Sequence, residues 1–215
     1  MIEYPKIPTL YERGADFSVT DVLKSPVIGT INLWHVTEKI NGTNIRIDLR
    51  RGGDGADVVT FGGRTPAAQI HADLYKYMQA TFTVEKMASL RVGDDPVSIT
   101  LFGEGYGAGI QNGGVYRQDK AVILFDVLIA DRWWLTYAQV ADIAARLEVP
   151  VVPSLGNMTL EEISGVARSF QSKVGTNIEA EGIVAVPIET LYDKQMQRII
   201  IKLKASDFRK GKRRS

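Results

Sequence analysis

Along most of the chain, apolar residues come in short β-branched runs or alternate with polar ones, which is the pattern of strands. It predicts strands at residues 31–37, 45–49, 57–61, 97–102, 121–129, 182–186 and 198–204. Three stretches instead repeat apolar positions at helical spacing behind a start signal. Thr65-Pro66 opens a predicted helix over 67–80, Thr136 with Gln139 caps one over 137–147, and Thr159 with Glu162 caps one over 160–171. The strands from 31 to 61 follow one another without a helix, which favours hairpins over a doubly wound parallel sheet. The expected fold class is therefore α+β, with mostly antiparallel sheets and flanking helices.

Composition narrows the chemistry. With 215 residues, 45% hydrophobic and 24% charged, the chain is an ordinary globular one, large enough for one big domain or two small ones. It has no cysteine, which excludes disulfides, thiol catalysis and thiolate-held zinc, and two histidines are a poor basis for an imidazole metal site. Any metal would be held by oxygen. His35 and His71 read as filler positions, and Trp133-Trp134 as residues packed on a sheet rather than an exposed stacking surface. The opening Met1-Ile2-Glu3-Tyr4-Pro5-Lys6 has neither a basic nor an apolar leader region. No later run approaches the ~18 apolar residues of a membrane span, so a cytoplasmic protein with no membrane contact is expected.

The net charge of +1 conceals a split. Lys202 to Ser215 carries seven cations against one anion, so the rest of the chain is net −5. The tail at 209–215, with Arg209, Lys210, Lys212, Arg213 and Arg214, reads either as a solvated terminus or as a grip on a polyanion. Gly103-Glu104-Gly105-Tyr106-Gly107-Ala108 fits the spacing of a dinucleotide-binding turn. The residues that follow, Gly109-Ile110-Gln111-Asn112-Gly113-Gly114, cannot readily open the helix that a pyrophosphate would need. The P-loop pattern is absent as well.

More informative are charged residues at the ends of apolar strands, where burial is costly unless the charge is paired or used. In order these are Glu38-Lys39 before Ile40-Asn41-Gly42, Glu104 after Phe102-Gly103, Asp126 after Phe125, Glu181 before Gly182-Ile183-Val184, and Lys202 and Lys204 in Ile201-Lys202-Leu203-Lys204. This series resembles the covalent nucleotidyltransferase superfamily of ATP-dependent ligases and capping enzymes. Lys39-Ile40-Asn41-Gly42 is similar to its first motif, Phe102-Gly103-Glu104 to the third, Glu181-Gly182-Ile183-Val184 to the fourth and Ile201-Lys202-Leu203-Lys204 to the fifth. Arg64 stands where an arginine lies between motifs one and three. Glu38 through Asn44 is most similar to the phage double-strand-repairing RNA ligases and the trypanosome RNA-editing ligases. The resemblance spans about residues 4–208.

The resemblance implies an ATP-grasp-like nucleotidyltransferase domain over residues 1–208 followed by a basic tail at 209–215. It implies an ATP-dependent RNA ligase that forms lysyl-AMP on Lys39, passes AMP to a 5′-phosphate and seals the break with a 3′-OH. Lys202 and Lys204 assist Lys39 at the phosphates, Glu38, Ile40, Asn44, Arg64, Glu104, Phe125 and Glu181 bind ATP or AMP, and Glu181 with Asp126 holds Mg2+ or Mn2+. The implied partner is nicked or broken RNA, with RNA/DNA hybrid or DNA as further substrates.

The chemistry makes sense of these residue types. A lysine with a reference pKa near 10.4 is only about 0.1% neutral at neutral pH. Attack on a phosphate therefore needs nearby positive charge, while the four carboxylates oppose it, so a bound metal and a second lysine are expected to reverse that balance. Two departures stand out. Asn41 replaces an aspartate that many ligases carry, and only eleven residues follow Lys204. The expectation is a catalytic domain alone, with a separate subunit as one replacement for the usual further domain. Two other readings stay open: an adenylyltransferase with a different acceptor, and a silent module that binds nucleic-acid ends.

Overall fold

The computed structural model describes residues 2–16, 18–93 and 95–209. The strands in chain order are β1 (Tyr11–Arg13), β2 (Val19–Leu23), β3 (Trp34–Lys39), β4 (Thr43–Arg51), β5 (Asp57–Gly63) and β6 (Ile99–Tyr106). They continue with β7 (Ala121–Ile129), β8 (Trp133–Trp134), β9 (Ser154–Met158), β10 (Gly182–Pro187) and β11 (Ile201–Lys204). The α-helices are α1 (Ala72–Thr81), α2 (Val84–Ala88), α3 (Tyr137–Arg146) and α4 (Leu160–Arg168). The fold is α+β with antiparallel sheets, as the hydrophobic pattern implies. No helix among the described residues is long and apolar enough to cross a membrane.

The chain packs as two compact units, one of Met1–Pro5 and Asn41–Val152, the other of Lys6–Ile40 and Pro153–Ser215. The first holds a five-stranded sheet in the order β5-β4-β6-β7-β8. Strand alternation sends Ile45, Ile47 and Leu49 of β4 to one face, where they pack with Leu74 and Met78 of α1 and Val140 and Ile143 of α3. On β7 the same face is met by Val122 and Leu124, then by Val127 and Ile129. The parity changes because Phe102 pairs with Asp126 while Gly103 pairs with Leu124, which leaves Phe125 as an extra residue in a β-bulge.

The second unit holds a four-stranded sheet in the order β11-β10-β3-β9 and a separate β1-β2 pair. Its core gathers Trp34 and Val36 of β3, Ile183 and Ala185 of β10, Ile201 and Leu203 of β11, and Ile163 and Ala167 of α4. The edge of β11 is covered by the segment before β1: Lys202 N donates to Pro8 O and Leu10 N to Lys202 O.

Several boundaries differ from the sequence expectation. The helix expected over 67–80 starts at Ala72, because His71 caps it by accepting from Asp73 N and the Thr65 to Ala68 turn folds back against Gly63. Both expected capping boxes form, at Thr136 with Gln139 and at Thr159 with Glu162. The second helix of that pair ends at Arg168 rather than 171, since Phe170 O and Gln171 turn away to pair with Ala180 and Glu179. The first strand of the second unit's sheet runs from 34 to 39 instead of 31 to 37, because Ile31 N closes a turn onto Ile28 O. The Gly-rich stretch at 103–106 is strand, which removes the dinucleotide-turn reading.

Candidate active site

Lys39 is the last residue of β3, and strand register determines what faces it. Gly182 pairs with Lys39 on one side and with Lys204 on the other, so all three occupy one face of the four-stranded sheet. One step along the same face, Val184 pairs with both Thr37 and Lys202. Three lysines of the predicted set thus share a face that is opposite the apolar core.

Gly182 makes the arrangement feasible. A Cβ built there would lie 2.6 Å from Lys204 Cα and still closer to Leu203 O. Without a side chain in the middle of the row, Lys39 and Lys204 can both reach Glu181, the residue just before β10. Lys39 Nζ donates to Glu181 Oε2 at 2.7 Å, and Lys204 Nζ pairs with Glu181 Oε1 at 2.6 Å. Lys39 Nζ also donates to Ile40 O at 3.3 Å. One carboxylate therefore joins two amines, a charge cluster that can take an anionic ligand once Glu181 is engaged elsewhere.

Glu38 does not belong to that face. The alternation that buries Trp34 and Val36 buries Glu38 too, and it is 1% exposed. Its carboxylate accepts from Ser172 Oγ at 2.5 Å and from Lys173 N at 2.8 Å. The Glu38 side chain is thus bonded to the loop before β10, on the face opposite Lys39.

The remaining predicted residues lie on the first unit, apart from Ile40, which is buried at the end of the second unit's first segment. Asn44 and Glu104 pair directly across β4 and β6, on the face away from the core. Asn44 Oδ1 is buried with no hydrogen-bond partner among the described residues. Gly42 is required where it stands, since a Cβ would lie 2.9 Å from Glu104 Cγ and would strike Gly105 O. Asn41 Oδ1 accepts from Asn112 N, and Asn41 N donates to the Tyr116 hydroxyl. Arg64 is exposed after β5.

Phe125 and Asp126 sit at the β7 bulge. Phe125 packs edge-on against Tyr4, ring centroids 5.1 Å apart, in a group that includes Phe102 and Trp134. Asp126 is 3% exposed, with Oδ2 accepting from the Tyr4 hydroxyl at 2.8 Å and Oδ1 from Val127 N. The carboxylate expected as a metal ligand is thus bonded to Tyr4 within the first unit. No cluster of three or more acidic or histidine side chains among the described residues could hold a metal by itself. Glu181 is the carboxylate positioned beside the lysines, and it would be the protein ligand for a divalent cation there.

Trp133 is 58% exposed with Arg132 over its ring, contrary to the expected packing, whereas Trp134 does pack. Arg209 pairs with Glu179 at 2.5 Å, and Lys210, Lys212, Arg213 and Arg214 lie outside the described residues. Sequence reasoning missed Ser172, Lys173 and Tyr4 as partners of site carboxylates. No local pattern marks them, because each meets its partner only through tertiary folding.

Comparison with known proteins adds the family. The RNA ligase family profile matches residues 32–204. Among solved structures, a Naegleria gruberi RNA ligase variant with ATP and Mn aligns at a TM-score of 0.65 and 19% identity, over 94% of this chain and 60% of that one. The same enzyme with PPi aligns at 0.64 and 19% identity, over 95% and 62%. A further variant with AMP and Mn aligns at 0.65 and 20% identity, over 94% and 60%. The chain spans about three fifths of the length of these structures. A search of curated proteins by sequence finds no match.

Proposed function

The chain belongs to the RNA ligase family, and from that membership we propose that it attaches AMP from ATP to Lys39 and passes it to the 5′-phosphate of a broken RNA strand. The observation that carries the reading is the row Lys39, Gly182, Lys204, with Glu181 joining both amines.

In the first step a bond forms between Lys39 Nζ and the α-phosphorus while the bond from that phosphorus to the pyrophosphate oxygen breaks. The amine loses a proton and pyrophosphate leaves. Lys202 and Lys204, on the same face, supply positive charge to the phosphates as the leaving group gains charge. Glu181 orients Lys39 until the phosphates arrive, and it is the proposed protein ligand for Mg2+ or Mn2+. Such a cation would supply further positive charge to the α-phosphate and the departing pyrophosphate. Base and ribose are assigned to Ile40, Asn44, Arg64, Glu104 and Phe125 on family membership, and the unpartnered Asn44 Oδ1 is compatible with a ligand there. In the later steps AMP moves to a 5′-phosphate, and a 3′-OH then displaces it.

One alternative is an adenylyltransferase that depends on another chain or another acceptor for the later steps. A sealing assay on nicked RNA, nicked DNA and hybrid duplexes separates the two. Joined RNA, with 5′-adenylated strand as the intermediate, is the expected result. Lys39-bound AMP that transfers to none of these substrates would rule out the ligase reading.

A further inference from the structure

The residue before the proposed nucleophile departs from its own strand's pattern. Trp34 and Val36 are apolar on the buried face of β3, and an apolar side chain at position 38 would complete it. A carboxylate in that position is costly, and well-packed apolar residues commonly do better for stability alone. Glu38 therefore needs a reason other than packing.

Its contacts supply one. Ser172 Oγ and Lys173 N bind the two carboxylate oxygens, and Ser172 Oγ accepts in turn from Val174 N and Gly175 N, both at 3.1 Å. Ser172 N donates to Ile178 O, which closes the loop, and Ala180 N donates to Phe170 O at its base. The next residue is Glu181, the partner of Lys39. On the other side, Glu38 N donates to Pro153 O and Lys173 Nζ to Ser154 O, which tie the same loop and strand to the start of β9.

We infer that Glu38 is a positioning residue, a buried clamp that locks the loop over residues 172–178 to β3 and so fixes the separation of Lys39 from Glu181. The inference rests on the adenylation reading for its consequence and on the hydrogen bonds above for its mechanism. Lys39 is the last residue of β3 and Glu181 the last before β10, so the loop bonded to Glu38 adds to the register that pairs Gly182 with Lys39. The bonds from Ser172 Oγ and Lys173 N to the Glu38 carboxylate join the two segments on the face opposite the reactive amine. Its loss would misplace the amine rather than weaken a contact with nucleotide.

The test uses the full chain with Ser172→Ala, Ser172→Thr, Glu38→Gln and the Glu38→Gln/Ser172→Ala double variant, at a temperature where circular dichroism shows each folded. The rate of AMP attachment at saturating ATP, the half-saturating ATP concentration and amide hydrogen exchange over 172–182 are measured. For Ser172→Ala the saturating rate is expected to fall about tenfold with half-saturation changed less than about twofold. Exchange over 172–181 should rise, Ser172→Thr should restore both, and the double variant should be no slower than its slower parent. A wild-type rate in Ser172→Ala, or a raised half-saturation at unchanged rate, would overturn the clamp, as would additive losses. Absence of label on the wild-type chain would sink the adenylation reading instead. The clamp would then stand or fall on whether exchange at 179–182 responds to Ser172→Ala.

Discussion

Lys39, Gly182 and Lys204 form one row across three strands, and each tolerates little change. Gly182→Ala would drive a Cβ to 2.6 Å from a backbone atom of β11, which cannot swing away as a flexible side chain can. A loss on the order of 2–3 kcal/mol is expected in urea unfolding, together with loss of AMP attachment. Glu181→Gln keeps the shape but removes the charge that holds both amines. Labelling at a fixed low metal concentration should fall, and adding metal should restore it only in part. Full wild-type labelling of this variant would contradict the role given to Glu181. How legible these residues were depends on what each relies on. Lys39, Glu181, Lys202 and Lys204, which the structure brings together, stand out in the sequence because charges at or inside apolar strands are conspicuous. The burial of Glu38 was legible in the alternation of Trp34, Val36 and Glu38, which places it with the apolar face. Asp126 could not be placed, because the bulge at Phe125 that sets its direction leaves no mark in the hydrophobic pattern.

Among the elements, the legible ones are those whose signal is local. The capping boxes that begin α3 and α4 lie within four residues of sequence, and both form where expected. The start of α1 was missed because the His71 cap competes with the proline signal five residues earlier. Strands β8 and β9 are short, and β9 contains Gly156 at φ 99°, so neither carries a clear alternation. The start of β5 carries a testable electrostatic contact. Arg91 donates to Asp57 at 2.6 Å and to Val97 O, pinning the segment after α2 to the sheet edge. That guanidinium holds the Asp57 carboxyl below the usual carboxylate range. A depressed folded-state pKa gives stability that is present above the unfolded value, near ~3.9, and is lost as pH falls through the folded one. Asp57→Asn should therefore lower the thermal midpoint at pH 7, and the difference from wild type should shrink as pH is lowered toward 3. A difference that persists unchanged at low pH would mean that packing, not charge, is responsible.

At the scale of the molecule, the chain is a two-unit α+β protein of the RNA ligase family that aligns over about three fifths of its solved relatives' length. The basic segment from residue 202 onward has two parts. Lys202 and Lys204 belong to the sheet face with Lys39, and Arg209 is paired with Glu179. Lys210, Lys212, Arg213 and Arg214 remain as the proposed grip on RNA. Removing residues 210–215 should reduce the slope of log affinity against log salt by roughly 3 units while leaving AMP attachment intact. An unchanged slope would assign RNA binding elsewhere. That Lys39 is the nucleophile is checked by incubating the protein with ATP, GTP and NAD, each labelled at the adenylyl or guanylyl phosphate, and mapping the labelled peptide. Acid-labile AMP from ATP is expected on Lys39, released by pyrophosphate and absent from Lys39→Ala. No label, or label that survives Lys39→Ala, would contradict it.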